Sequence, residues 1–162
     1  MSLLQSNLAH SRAAYRFAIQ AIPSELPASR HGFRFEKQSQ IDSMVIELGW
    51  AFFCRYEACV EAYLKSKGIK LSKKFSLLDW FKEQDFSISD HHAEGLSLYR
   101  KIRNKLHHED GAALNDAEDE EIHLLPEQME NFYNLFVWCG GNIEKWATNS
   151  GQQTPPSGAT DL

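Results

Sequence analysis

The stretch KQSQIDSMVIELGWAFFCRYEACVEAYLKSKG, residues 37–68, decides the fold class. Its apolar side chains Ile41, Val45, Leu48, Phe52, Tyr56, Cys59 and Tyr63 recur in steps of three or four, the spacing that lines one face of an α-helix. A helix over 37–67 would be about 45 Å long at roughly 1.5 Å per residue. Most of the stability of such a helix comes from neighbours packed on its apolar face. Lys65 and Lys67 stand at its end, where cations complement the helix dipole. Gly68 follows as the stop, because glycine accepts the left-handed turn that closes a helix. Gly49 lies inside the pattern and marks a place for close approach by a neighbour.

The same period recurs on both sides. Residues 3–22 read as a first helix through Leu4, Leu8, Ala14, Ala18, Ile19 and Ile22, ended by Pro23 and Pro27. Residues 23–35 then read as a loop. Ser76-Leu77-Leu78-Asp79 resembles a capping box and starts a short helix to about Gln84. Ser87 or Ser89 caps a fourth helix to about His108, with Leu98, Ile102 and Leu106 as its core stripe. The last helix starts near Leu125-Pro126. Its apolar residues Leu125, Met129, Phe132, Phe136, Cys139, Ile143 and Trp146 form a heptad seam, which packs into the core or against a second copy. Gly140-Gly141 is expected to bend or weaken that helix. No strand pattern and no internal repeat is visible. The expectation is an all-α, up-down bundle of about five helices over residues 1–148. A disordered Ser-, Gly-, Thr- and Pro-rich tail follows over 149–162.

A chain of 162 residues fits one domain, and 43% hydrophobic with 12% aromatic residues is enough to fill its core. No apolar run approaches the roughly 20 residues that span a bilayer. The start, Met1 to Ser6, lacks the basic and apolar regions of a secretory signal. The chain is therefore expected to be cytoplasmic, with no membrane partner. Cys54, Cys59 and Cys139 are odd in number and lack CxxC spacing, which argues against disulfides or a zinc site. They read as small buried hydrophobes. The net charge of −5 disfavours generic nucleic-acid binding. The charge is uneven, however: residues 109–121 hold seven acids and no Lys or Arg, and without those acids the chain would carry +2. This acidic block reads as a solvated loop, and it directly follows the most basic segment.

That segment is Tyr99-Arg100-Lys101-Ile102-Arg103-Asn104-Lys105-Leu106-His107-His108. Phased at about 100° per residue, Leu98, Ile102 and Leu106 face the core. Tyr99, Arg103 and His107 form the next stripe, and Arg100, Asn104 and His108 the one beyond. Histidine exchanges protons near neutral pH. Arginine grips a phosphate with two prongs and stabilises charge building on it. Asparagine orients either partner. These are the groups that metal-free phosphodiester cleavage requires. The connector lysines Lys65, Lys67, Lys70, Lys73 and Lys74 form a basic patch around Leu71 and Phe75. Among them Lys70, Lys73 and Lys74, together with Lys105, are candidates for RNA-backbone contacts. Arg55 and Glu57, on the long helix, stand where they can support the motif. His91-His92 with Glu94 reads as a surface cluster, and the single Glu120-x-x-His123 falls short of the paired motifs of a di-iron bundle. No metal and no cofactor is expected.

Arg103-Asn104-Lys105-Leu106-His107-His108 resembles the RNxxxH form of the Rx4-6H motif of HEPN domains. The Tyr-Arg-Lys-Ile lead-in, the His-Glu-Asp-Gly exit and the long helix carrying Phe52 to Ala58 extend the resemblance over most of residues 3–147. It implies a helical bundle that dimerises, bringing two motif helices into a composite cleft. It also implies a metal-independent endoribonuclease, often a toxin or defence effector, with an antitoxin or regulatory protein as a further partner. In that scheme His108 is the general acid/base, Arg103 stabilises the scissile phosphate and Asn104 positions both. His107, one turn from Arg103, competes with His108 on geometry. Arg100, Tyr99 and Glu57 are supporting candidates. Two alternatives stay open: a non-catalytic HEPN-like module binding RNA, nucleotide or a partner protein, and a structural dimerisation bundle.

Overall fold

In the computed structural model the described residues are 2–72, 74–108 and 122–151, with His107 and His108 described by backbone alone. They form five helices and one two-stranded hairpin, a predominantly all-α bundle. None of these helices is long and apolar enough to cross a membrane.

Helix α1 (Leu3–Ala21) starts at a capping box: Ser2 Oγ accepts from the Gln5 amide at 3.2 Å, and the Gln5 side chain accepts from the Ser2 amide at 3.1 Å. It buries Leu4, Leu8, Ser11 and Tyr15. Ala14, expected on the core face, is exposed, because the large Tyr15 ring removes more apolar area from water than a methyl group.

Residues expected to be a plain loop carry a hairpin, β1 (Ala28–Arg30) and β2 (Phe33–Phe35). Ala28 pairs with Phe35, Ser29 with Arg34 and Arg30 with Phe33. His31 and Gly32 both have positive φ, 49° and 83°, as a tight two-residue turn needs. Strands of three residues are too short to show alternation, so the sequence pattern is silent there. Phe35 is buried and ties the hairpin to the bundle.

Helix α2 (Gln38–Ser66) is the spine. It buries Ile41, Phe53, Tyr56, Glu57, Cys59, Val60, Tyr63 and Leu64, a wider arc than one stripe, because neighbours pack on more than one side. Gly49 is the close approach: a Cβ there would lie 2.0 Å from the Leu124 carbonyl oxygen, in the segment leading into the last helix. The helix ends as expected at Gly68, φ 74°, whose amide donates to the Lys65 carbonyl while Ile69 donates to that of Leu64.

Short α3 (Leu77–Glu83) is capped by Ser76, whose hydroxyl accepts from the Asp79 amide. Helix α4 spans Asp90–His108, and α5 spans Pro126–Gly151. The middle of the α5 seam is core: Met129, Phe132, Phe136, Cys139 and Ile143 are buried within the fold, while Trp146 is half-buried and Leu125, before the first turn, is exposed, since no element among the described residues packs over the helix start there. The helix runs unbroken through Gly140-Gly141. Gly140 instead admits Leu4, whose Cδ2 would lie 3.0 Å from an added Cβ. Helix α5 also carries through Gly151, so residues 149–151 are helical rather than tail; residues 152–162 and the acidic block 109–121 lie outside the described residues. Cys59 and Cys139 are buried, but Cys54 is exposed, since it sits on the solvent arc of α2.

Arg12 joins α1 to α5 through both oxygens of Glu130, at 2.8 and 2.5 Å. Arg12 meets Glu130 and Leu4 meets Gly140, so these two helices run in opposite directions. Phe53 meets Phe132 and Tyr63 reaches Gly140, so α2 and α5 run the same way.

Candidate functional site

Helix α4 starts at Ser89, whose hydroxyl accepts from the His92 amide and lies 2.9 Å from His92 Nδ1. The helix seats Leu96, Tyr99 and Ile102 in the core, while Leu98 and Leu106 are half-buried. The expected core stripe is thus turned by about one residue toward α2. The cause is the aromatic slot between α2 and α5: the Tyr99 ring lies 6.3 Å from Phe53 and 5.0 Å from Phe136. Tyr99 is therefore a packing residue, not part of an open polar stripe. Burial pushes its phenol well above the ordinary tyrosine range, the Glu57 charge adds to the rise and Arg103 opposes it.

The same rotation turns Arg103 inward. Its Nε donates to Glu57 Oε1 at 3.3 Å, with side chains only 14% and 10% exposed. Its guanidinium carbon stands 6.0 Å from the centre of the Phe75 ring. Tyr99 meets Phe53 and Arg103 meets Glu57 where α4 crosses α2, while His92 on Trp138 and Gly95 against Leu135 set α4 opposite in direction to α5. The Phe75 contact places the connector after α2 beside Arg103 on α4; Lys74, next to Phe75, and Lys70 are exposed. Glu57 and Phe75 are the residues that hold Arg103. The sequence signal for Glu57 was an acid within the apolar arc Phe53, Tyr56, Val60 and Leu64; nothing in the sequence marked Phe75 as its counterpart.

The other candidates separate. Asn104 is exposed, and Lys105 is half-buried. Arg100 faces α3, 3.6 Å from Asp79, with both side chains about half exposed. His107 and His108 are the last two helical residues, and Lys73 lies outside the described residues. On the helix, His107 is one turn from Arg103, and His108 is about 140° round from it. Arg55 lies elsewhere, in a groove between α1 and α2 with His10, Ala14 and Phe52, so it does not support Arg103. Lys67 pairs with Glu144 at 2.9 Å and Lys65 with Glu61 at 3.1 Å. Tyr63 donates to Glu144 at 2.6 Å, and that bond and Lys67 hold the Glu144 carboxyl below its usual range.

A guanidinium fixed through Nε keeps its planar fork directed by the protein rather than by solvent. A fork held in this way suits a tetrahedral phosphate. No protein family, curated protein or solved structure matches the chain.

Proposed function

We propose that this chain is a metal-independent endoribonuclease of HEPN type, acting as a cytoplasmic homodimer. The observation that carries the reading is Arg103, oriented by buried Glu57 beside Phe75 in the last turns of α4. In the reaction, His108 or His107 takes the proton from the RNA 2′-hydroxyl. The 2′-oxygen bonds to the adjacent phosphorus and the bond to the 5′-oxygen breaks. A second histidine, from the partner subunit, returns a proton to the leaving oxygen, and a cyclic phosphate remains. Arg103 stabilises the charge on the non-bridging oxygens, and Asn104 orients the phosphate. Lys70, Lys73, Lys74 and Lys105 hold the flanking backbone. An antitoxin or regulatory protein covering this end would keep such an activity silent.

The test is cleavage of RNA by the pure protein in EDTA, beside Arg103→Ala and His108→Ala, with the oligomeric state measured in solution. Loss of cleavage in both variants supports the reading; equal cleavage in all three proteins refutes it. The depth of the Arg103–Glu57 pair also favours a second reading, a non-catalytic module in which Arg103 is structural. That reading gains if Arg103→Ala unfolds the protein and no RNA is cut.

A further inference from the structure

We propose that the hairpin Ala28–Phe35 is a second, separate contact for single-stranded RNA, in which Phe33 stacks on a base and Arg30 holds a phosphate. It rests on the reading of RNA as substrate. Phe33 is 64% exposed on a strand whose neighbour Phe35 is buried. Cross-strand pairing sets Arg30 directly opposite Phe33, so the guanidinium and the ring share one face of the hairpin. His31 and Arg34 are also exposed, and Arg34 pairs with Glu36 at 2.7 Å. Between residues 28 and 37 stand Arg30, Arg34 and Lys37 against one acid, in a chain whose net charge is −5.

This setting selects the ligand. A protein partner needs a contiguous apolar patch, and the residue across the ladder from Phe33 is the charged Arg30, with exposed His31 in the turn beside them. An unstacked base needs one ring face and adjacent cations. Phe17, exposed on α1, has Ala13, Ala14 and Ala21 among its neighbours one helical turn away. The positive-φ turn at His31-Gly32 closes the hairpin directly before Phe33, the first residue of β2. The hairpin leads into the start of α2, about 28 Å along that helix from Glu57. It therefore grips RNA away from the cleavage site and extends the footprint.

The experiment is fluorescence anisotropy with a labelled 2′-O-methyl oligouridine of about 12 nucleotides, across about 50–200 mM salt. The methyl group blocks the attacking oxygen, so binding is read without cleavage. Phe33→Ala should weaken binding about tenfold, Phe33→Trp should restore it, and Arg30→Ala should lower the salt slope by about one. Both positions are exposed, and circular dichroism should stay unchanged. Wild-type affinity in Phe33→Ala overturns the proposal, as does undetectable binding by the wild type. A Phe33→Ala protein that changes oligomeric state while keeping its RNA affinity overturns it in favour of a self-contact. RNA cleavage in EDTA with equal KM in wild type and Phe33→Ala removes the hairpin's role and leaves the nuclease reading intact. Binding that depends on Phe33 without any cleavage does the reverse.

Discussion

Removing the charge of Glu57 should destabilise the protein far more than removing that of Glu36, although the Glu36 ion pair is shorter. Arg34 reaches Glu36 at 2.7 Å, with side chains 64% and 59% exposed. Arg103 reaches Glu57 at 3.3 Å, with 14% and 10% exposed. Distance alone ranks the surface pair first. Solvent reverses the order: exposed pairs contribute about 0–1 kcal/mol after screening and side-chain entropy. At 3.3 Å and an effective dielectric of about 20, the inner pair attracts by roughly 5 kcal/mol before desolvation. Breaking a fully buried pair costs about 3–5 kcal/mol, because one charge is left stranded. The residual exposure of Arg103 reduces that to about 2–3 kcal/mol for Glu57→Ala, and Glu57→Gln should lose less, since its amide oxygen still accepts. In a domain of this size the alanine change lowers Tm by roughly 4–12 °C. Urea unfolding followed by tryptophan fluorescence reads both variants, and a double-mutant cycle with Arg103→Met isolates the coupling. A cost for Glu36→Ala equal to that for Glu57→Ala, or a coupling below about 0.5 kcal/mol, would refute this ranking of the two pairs.

Gly49→Ala brings a methyl into the Leu124 carbonyl; the strain should exceed the roughly 1 kcal/mol gain in helix propensity, for a net loss of about 1–2 kcal/mol in urea midpoint analysis. Asp85 closes α3 at φ 59°, with its amide donating to Lys82 and that of Phe86 to Phe81, so Asp85→Gly should add about 0.5–1 kcal/mol, read as a higher midpoint at unchanged slope. His92 is stacked on Trp138 and hydrogen-bonded to Ser89; burial, then His91, lowers its pKa from 6.5. The folded state then binds fewer protons than the unfolded chain, so this contribution is complete above about pH 6.5 and falls as the pH drops below it. His92→Gln should flatten the change in Tm between pH 7.5 and 5.5, and an identical slope in both proteins would count against it.

Helix ends were legible because their chemistry is local. Ser76 and Gly68 each act within about four residues of themselves, and both stand where the sequence placed them. Helix faces were less legible. Leu98, Ile102 and Leu106 fit the helical period as well as Leu96, Tyr99 and Ile102 do. The choice belongs to the slot formed by Phe53 and Phe136, 46 and 37 residues away. The hairpin escaped notice because three-residue strands show no period, and its turn depends on His31, a residue that takes positive φ only in context.

By itself, then, the sequence determined a helical bundle, the caps at Gly68 and Ser76, and the placing of Arg103 and Asn104 in the last turns of α4. These follow from backbone hydrogen bonding and the 3.6-residue period, which act along the chain. Only the tertiary structure decided that Tyr99 is core, that the middle of the α5 seam is spent inside the fold, and that Arg103 rests between Glu57 and Phe75. Those outcomes depend on apolar area and charge desolvated by segments distant in sequence, and no local pattern carries that information.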